Sequence, residues 1–148
     1  MKNKIPPPIV TLFFGLCIYF SHEYFQEFNL EFLTILSYIS YFAGLLILVL
    51  AVHLFKKQRT TVNPIKIENA TSLVTSGVFK YSRNPMYLGM AMILFGLALM
   101  FNLIGGIIFT FLFTIYITKF QIRPEEEVME RFFGADFLKY KQNVRMWI

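Results

Sequence analysis

Cysteine is almost missing from this 148-residue chain. Cys17 stands alone in an apolar run, so no internal disulfide can form and no cysteine-based metal cluster can be built. Charge is scarce too: 16% of residues are charged, against about 25% in ordinary soluble domains. The sequence contains no Ser-His-Asp pattern, no His/Cys spacing suited to a metal, no glycine-rich phosphate loop after a strand and no basic-aromatic nucleic-acid face. Repeats and low-complexity linkers are also absent, and the length suits one domain, 1–148. What fills the chain is apolar. With 56% hydrophobic residues, 18% aromatic residues and a mean hydropathy of +0.55, it reads as a membrane protein.

Lys2 and Lys4 precede Pro6-Pro7-Pro8 and an apolar run, 9–20. Tyr19-Phe20-Ser21-His22-Glu23 offers no small-residue cleavage site. A retained first spanning helix is therefore expected rather than a signal peptide, although its uncharged stretch, 5–21, is short for a bilayer. Residues 32–55 carry no charge apart from a possible proton on His53 and form the clearest span. His53, near the lysine-rich end, reads as an interfacial ring, with a pocket residue as the sharper alternative. From 56 to 83, Lys56, Lys57, Arg59, Lys66, Lys80 and Arg83 face only Glu68. The turn signals Asn63-Pro64 and Ser76-Gly77 make this an ordered basic loop. Two apolar helices follow, 86–101 and 103–120, and the short Asn102 connection predicts an antiparallel hairpin. Gly89 and Gly96 share one face, and Gly105 and Gly106 begin the next helix, which allows backbones to approach closely in lipid.

Four spans put the N-terminus, the 56–83 loop and the tail on one side, with all 14 lysines and arginines. Glu23, Glu27, Glu31 and the Asn102 turn fall on the other. By the positive-inside rule the basic side is cytoplasmic, both termini included, and most of the cations serve as topology anchors. In the tail, Pro124 before Glu125-Glu126-Glu127 makes a good helix start, and Gly134 a stop. A second short helix, about 135–142, carries Phe137, Tyr140 and Lys141 along the membrane surface. The expected fold class is all-α: a four-helix transmembrane bundle with a cytoplasmic helical cap.

Chemistry must come from few groups. Arg83, Asn84 and Tyr87 lie at the water-lipid boundary, where Pro85 opens a helix without costing a backbone hydrogen bond. Glu125 and Glu126 lie at the far end of the same hairpin, and an antiparallel hairpin brings those ends together. A guanidinium beside a carboxylate suits a zwitterionic amino-acid group. Blander readings stand beside this one. The glutamates also serve as helix N-terminal charges, Arg83 as a membrane anchor and Tyr87 as part of an aromatic belt, while Glu127 and Glu130 read as solvated faces.

Three stretches together resemble the isoprenylcysteine carboxyl methyltransferase and phospholipid methyltransferase family: 73–89 with Ser76-Gly77 and Arg83-Asn-Pro-Met-Tyr-Leu-Gly89, 123–134 with Glu125-Glu126 and Phe133-Gly134, and Tyr140 with Val144-Arg145. The resemblance covers about 45–148. It implies an integral membrane enzyme that uses S-adenosylmethionine and takes a lipid or other amphiphilic methyl acceptor from the bilayer, with no metal. It also implies that Arg83, Asn84, Pro85 and Tyr87, with Glu125 and Glu126, form the site, and that Thr75, Ser76, Gly77, Val78, Phe79 and Tyr81 contact the cofactor. Arg83, Asn84, Tyr87 and Glu126 would act in catalysis. Two departures matter: Asn84 stands where the family has histidine, and Val78 where it has proline. Asparagine hydrogen-bonds but does not titrate near neutral pH. A nicotinamide-dependent sterol or enone reductase is the rival enzyme class, disfavoured by Met86 and Met90 at its Asn and Glu positions. A non-enzymatic scaffold or lipid-binding subunit is the other rival.

Overall fold

The computed structural model describes residues 5–25, 30–58 and 72–148, and those residues contain helices and turns but no strand. In chain order they form α1 (Pro7–Phe20), a 3-10 turn (Ser21–Tyr24), α2 (Glu31–Lys57), a second 3-10 turn (Gly77–Lys80), α3 (Pro85–Phe101), α4 (Leu103–Ile117), a π turn (Thr118–Ile122) and α5 (Arg123–Asn143). Lys2, Lys4, Glu27, Arg59, Lys66, Glu68 and the Asn63-Pro64 turn lie outside the described residues.

Local chemistry sets the helix ends. Prolines occupy the first helical positions of α1 and α3, where a missing N–H costs nothing. Asn102 ends α3 and caps α4 at once: its Oδ1 accepts from the Gly105 N–H at 3.0 Å, and its Nδ2 donates to Ser21 Oγ at 3.0 Å. Both side chains are buried, so the hairpin turn is pinned to the end of α1.

Packing follows the glycines, although not as the hairpin alone would suggest. Gly89 and Gly96 face α2: a Cβ on Gly89 would sit 2.7 Å from the Gly44 carbonyl oxygen, and one on Gly96 would sit 2.8 Å from the Tyr41 ring. Ser40 Oγ donates to the Met92 carbonyl at 2.7 Å across the same seam. The α3–α4 hairpin closes instead on Gly106, against Ala98. Ile18, Leu94, Phe113 and Ile117 form a fully buried core where α1, α3 and α4 meet, and Met146 and Trp147 pack on it. A second cluster, built around Ala51, Phe79, Phe137 and Tyr140, joins the end of α2 to α5.

Among the described residues two helices are long and apolar enough to cross a membrane: α2, and the helical run from Leu103 to Asn143, which includes the π turn and the kink at Gly134. α3 is shorter, and α1, with 14 residues, spans about 21 Å. Phe13, Phe32, Phe42 and Phe111 are each at least 60% exposed, an apolar surface far beyond what water tolerates and suited to lipid. His53 is exposed one turn from the end of α2, as an interfacial ring would be.

The tail differs from expectation in one respect. Instead of a new helix starting at Pro124, α4 runs into α5 through the π turn, in which the Arg123 N–H bonds to the Thr118 carbonyl. Pro124 offers no N–H to the Phe120 carbonyl and its ring would crowd that carbonyl in a regular α-helix; the wider turn relieves both. Gly134, at φ +49° and ψ −121°, breaks α5 at the expected stop, after which the helix resumes to Asn143.

Candidate functional site

The loop before α3, the start of α5 and the last residues of the chain converge on one polar cluster. Arg83 Nε and Nη2 donate to Glu126 Oε1 at 2.9 and 2.7 Å, with the two side chains 8% and 11% exposed. Arg83 Nη1 donates to the Lys141 carbonyl at 3.3 Å and to the Val144 carbonyl. A guanidinium has five N–H groups, so this fork is largely committed inside the protein, with a second Nη2 hydrogen left over. Lys141 Nζ stands 3.6 Å from both Glu126 Oε2 and Glu130 Oε2 and is more exposed than Arg83.

Beside this pair, the Tyr87 hydroxyl donates to Glu125 Oε1 at 2.5 Å. Burial pushes the Glu125 carboxyl up to about 8; the Tyr87 hydrogen bond pulls it down and the Glu126 charge pushes it further up. Glu125 is thus a carboxyl raised well above its ordinary range, next to a Glu126 side chain paired with Arg83.

Asn84 acts on the backbone. Its Nδ2 donates to the Met146 carbonyl at 3.1 Å, and Ser82 Oγ reaches the same carbonyl at 3.4 Å. The Arg83 N–H donates to the Arg145 carbonyl at 3.0 Å. Residues 144–148 therefore lie as a strap across the entry to α3. Pro85 is buried behind them.

The 75–81 segment lies mostly behind the cluster. Gly77 has φ +59°, a conformation strained for any residue with a side chain, and a Cβ there would have to push the Leu54 methyl aside from 2.7 Å. Ser76 Oγ accepts from Gln58 Nε2 at 3.3 Å, Val78 packs in the second cluster, and the Phe79 carbonyl accepts from the Tyr140 hydroxyl at 2.6 Å. Burial raises the Tyr140 phenol above its ordinary range, with Arg83 opposing and Glu126 adding to the shift. Tyr81 is 78% exposed and takes no part in the cluster. An open cavity of about 720 Å³ is lined by residues including Thr75, Lys80, Asp136, Lys139, Tyr140 and Val144. It shares Val144 with the Arg83 clasp, and Tyr140 forms part of the same wall.

Sequence reasoning brought Arg83, Tyr87, Glu125 and Glu126 together but passed over Lys141, Ser82 and the strap. Tyr140 and Val144-Arg145 stood in the quoted pattern without a role. The carbonyls of residues 141 and 144–146 carry no sequence signal, because every residue has one.

The family model of phospholipid methyltransferases matches residues 32–136. The chain belongs to that family. The match includes both pairs and stops short of Tyr140 and the strap. Two similar proteins are the protein-S-isoprenylcysteine O-methyltransferases of Saccharomyces cerevisiae, 34% identical over 84 residues (56% of this chain, 35% of that protein), and Schizosaccharomyces pombe, 33% identical over 75 residues (49% and 30%). An uncharacterized protein of Haemophilus influenzae is 35% identical over 63 residues, 43% of this chain and all of that one. The matched stretch spans about a third of the length of the two yeast relatives. No solved structure matches the chain.

Proposed function

We propose that this phospholipid methyltransferase family member is an integral membrane enzyme that moves a methyl group from S-adenosylmethionine to a lipidic or amphiphilic acceptor. The observation that carries the reading is the pairing of Arg83 with Glu126 beside Tyr87 with Glu125, next to an open cavity. Carboxylates and cations so arranged fit the zwitterionic end of an amino-acid cofactor.

When bound, the cofactor supplies a sulfonium methyl that is already electrophilic. The chain's own work is binding, orientation and exclusion of water. Glu125 and Glu126 accept from the ammonium. The spare Arg83 N–H and Lys141 take the carboxylate, and Tyr87 keeps Glu125 aimed. Asn84 holds the strap over the site and moves no proton. Thr75 offers a polar wall to the cavity, with Ser76, Gly77, Val78 and Phe79 following it in the chain, whereas Pro85 and Tyr81 are not among the residues that line it. The acceptor enters sideways from lipid, as a carboxylate or thiolate that needs no base, or as an amine that must first lose a proton.

Four spans with both termini cytoplasmic complete the reading. Support comes from the apolar exposed surface and from the gathering of every lysine and arginine on one side of such a bundle. Calorimetry of the purified protein with S-adenosylhomocysteine tests the site: binding is expected, and Arg83→Ala and Glu126→Ala should each weaken it at least about tenfold. Unchanged affinity in both variants would remove the site. Membrane extracts incubated with isotope-labelled donor then reveal the acceptor by mass spectrometry.

A further inference from the structure

The π turn is unexplained by helix propensity alone, and it lies directly before the glutamates. A π turn carries one residue more than an α turn, so everything after it is set back by one residue, about 100° around the helix. In an uninterrupted α-helix, Pro124 would take the place of Glu125 opposite Tyr87, and Glu125 that of Glu126 opposite Arg83. Both pairs therefore exist only with the extra residue in place. Thr118 anchors the turn twice. Its carbonyl accepts the Arg123 N–H, and its hydroxyl accepts from Trp147 Nε1 at 3.2 Å. Trp147 belongs to the strap whose neighbouring residues clasp Arg83, Ser82 and Asn84, and its ring packs on the main core.

We propose that Thr118 and Trp147 are positioning residues: their hydrogen bond fixes the helix in its π turn, and the turn delivers Glu125 to Tyr87 and Glu126 to Arg83. The strap thereby sets both sides of the site together, holding Arg83 through carbonyls and the glutamates through the indole. The proposal concerns the geometry of the two pairs; only the affinity arm of its test rests on the cofactor reading.

A double-mutant cycle reads the geometry without any ligand. Tyr87→Phe and Glu125→Gln are combined, and their coupling in denaturant unfolding is measured in four backgrounds: wild type, Thr118→Ser, Thr118→Val and Trp147→Phe. Serine keeps the hydroxyl and valine removes it at equal volume, while phenylalanine keeps a ring and loses the N–H. The coupling is expected to persist in wild type and Thr118→Ser and to fall by about half or more in Thr118→Val and Trp147→Phe. A general loss of stability would lower all the midpoints without changing the coupling, and that result overturns the proposal. In the second arm, S-adenosylhomocysteine affinity should drop about tenfold in Thr118→Val and be restored in Thr118→Ser. If the wild type binds no S-adenosylhomocysteine, the cofactor reading falls while the coupling still decides the role of Thr118 and Trp147.

Discussion

Removing the Arg83 guanidinium would leave Glu126, 11% exposed, without the two hydrogen bonds that compensate its charge. Breaking a buried pair from one side costs about 3–5 kcal/mol, because the remaining charge stays desolvated. Lysine cannot replace the fork: it lacks the separate Nη1 donor that also reaches the carbonyls of residues 141 and 144. Arg83→Ala and Arg83→Lys should therefore both lower the unfolding midpoint in detergent, and the double variant Arg83→Met with Glu126→Leu should recover much of that loss while failing to bind S-adenosylhomocysteine. Glu125 makes a different prediction. Its carboxyl is raised to about 8 from 4.5, so the folded state holds a proton that the unfolded state releases. The stability linked to this group is complete below the unfolded value and declines as pH rises through the window up to about 8. Binding of an ammonium ligand runs the other way, favouring the ionised carboxylate. Calorimetric affinity for S-adenosylhomocysteine should strengthen with pH up to about 8, with proton release to buffer, and Glu125→Gln should abolish that release. A pH profile unchanged by the substitution would exclude Glu125 from the ammonium site.

At the scale of elements, the α2–α3 seam tolerates no side chain at its closest point. Cβ atoms on Gly44 and Gly89 would each lie 2.7 Å from the opposite carbonyl oxygen, which is backbone and cannot rotate away. Gly89→Val should thus prevent α2 from seating, read as loss of the monodisperse peak in detergent chromatography. Gly134 offers the contrast. Nothing lies within 4 Å of a Cβ there, so Gly134→Ala meets only the backbone penalty of φ +49°, about 1–3 kcal/mol, and should lower the midpoint without dispersing the protein. The sequence patterns show why some of this was readable. Uninterrupted apolar length marks α2, and the proline-first starts mark α1 and α3. The Asn102 break forces the hairpin that carries Arg83 to Glu126. The glycine spacing announced a close seam but not its partner, since Gly89 and Gly96 fit α2 or α4 equally well until Gly44 and Tyr41 are seen facing them. The π turn left no trace beyond Pro124, because the hydrogen bond at the turn joins Thr118 to Trp147, residues far apart in the chain whose pairing no local pattern announces.

For the whole molecule, orientation is the property that the site depends on. Lys80 and Lys139 line the cavity beside the cluster and Lys141 pairs with Glu126, so the proposed soluble donor would reach this face, whereas the exposed phenylalanines of α1, α2 and α4 suit lipid around the middle. Ten of the cations lie in the described residues, and under the proposed four-span topology all of them fall on one side. At the opposite end lie the 3-10 turn with Glu23 and the buried Asn102–Ser21 bond. Cysteine mapping tests this directly. In a Cys17→Ser background, single cysteines at Glu23, Lys57 and Lys139, each a surface position, are exposed to a membrane-impermeant maleimide. The Glu23 site should label in intact cells, and the other two only after the membrane is opened. Labelling of Lys57 and Lys139 on opposite sides would break the four-span topology, because α2 and α5 would then no longer present the basic loop and the strap to one compartment. Arg83 and Glu126 would still meet, but if Lys139 were the residue labelled in intact cells, the cavity it lines would face away from the cytoplasmic pool of S-adenosylmethionine on which the proposed reaction draws.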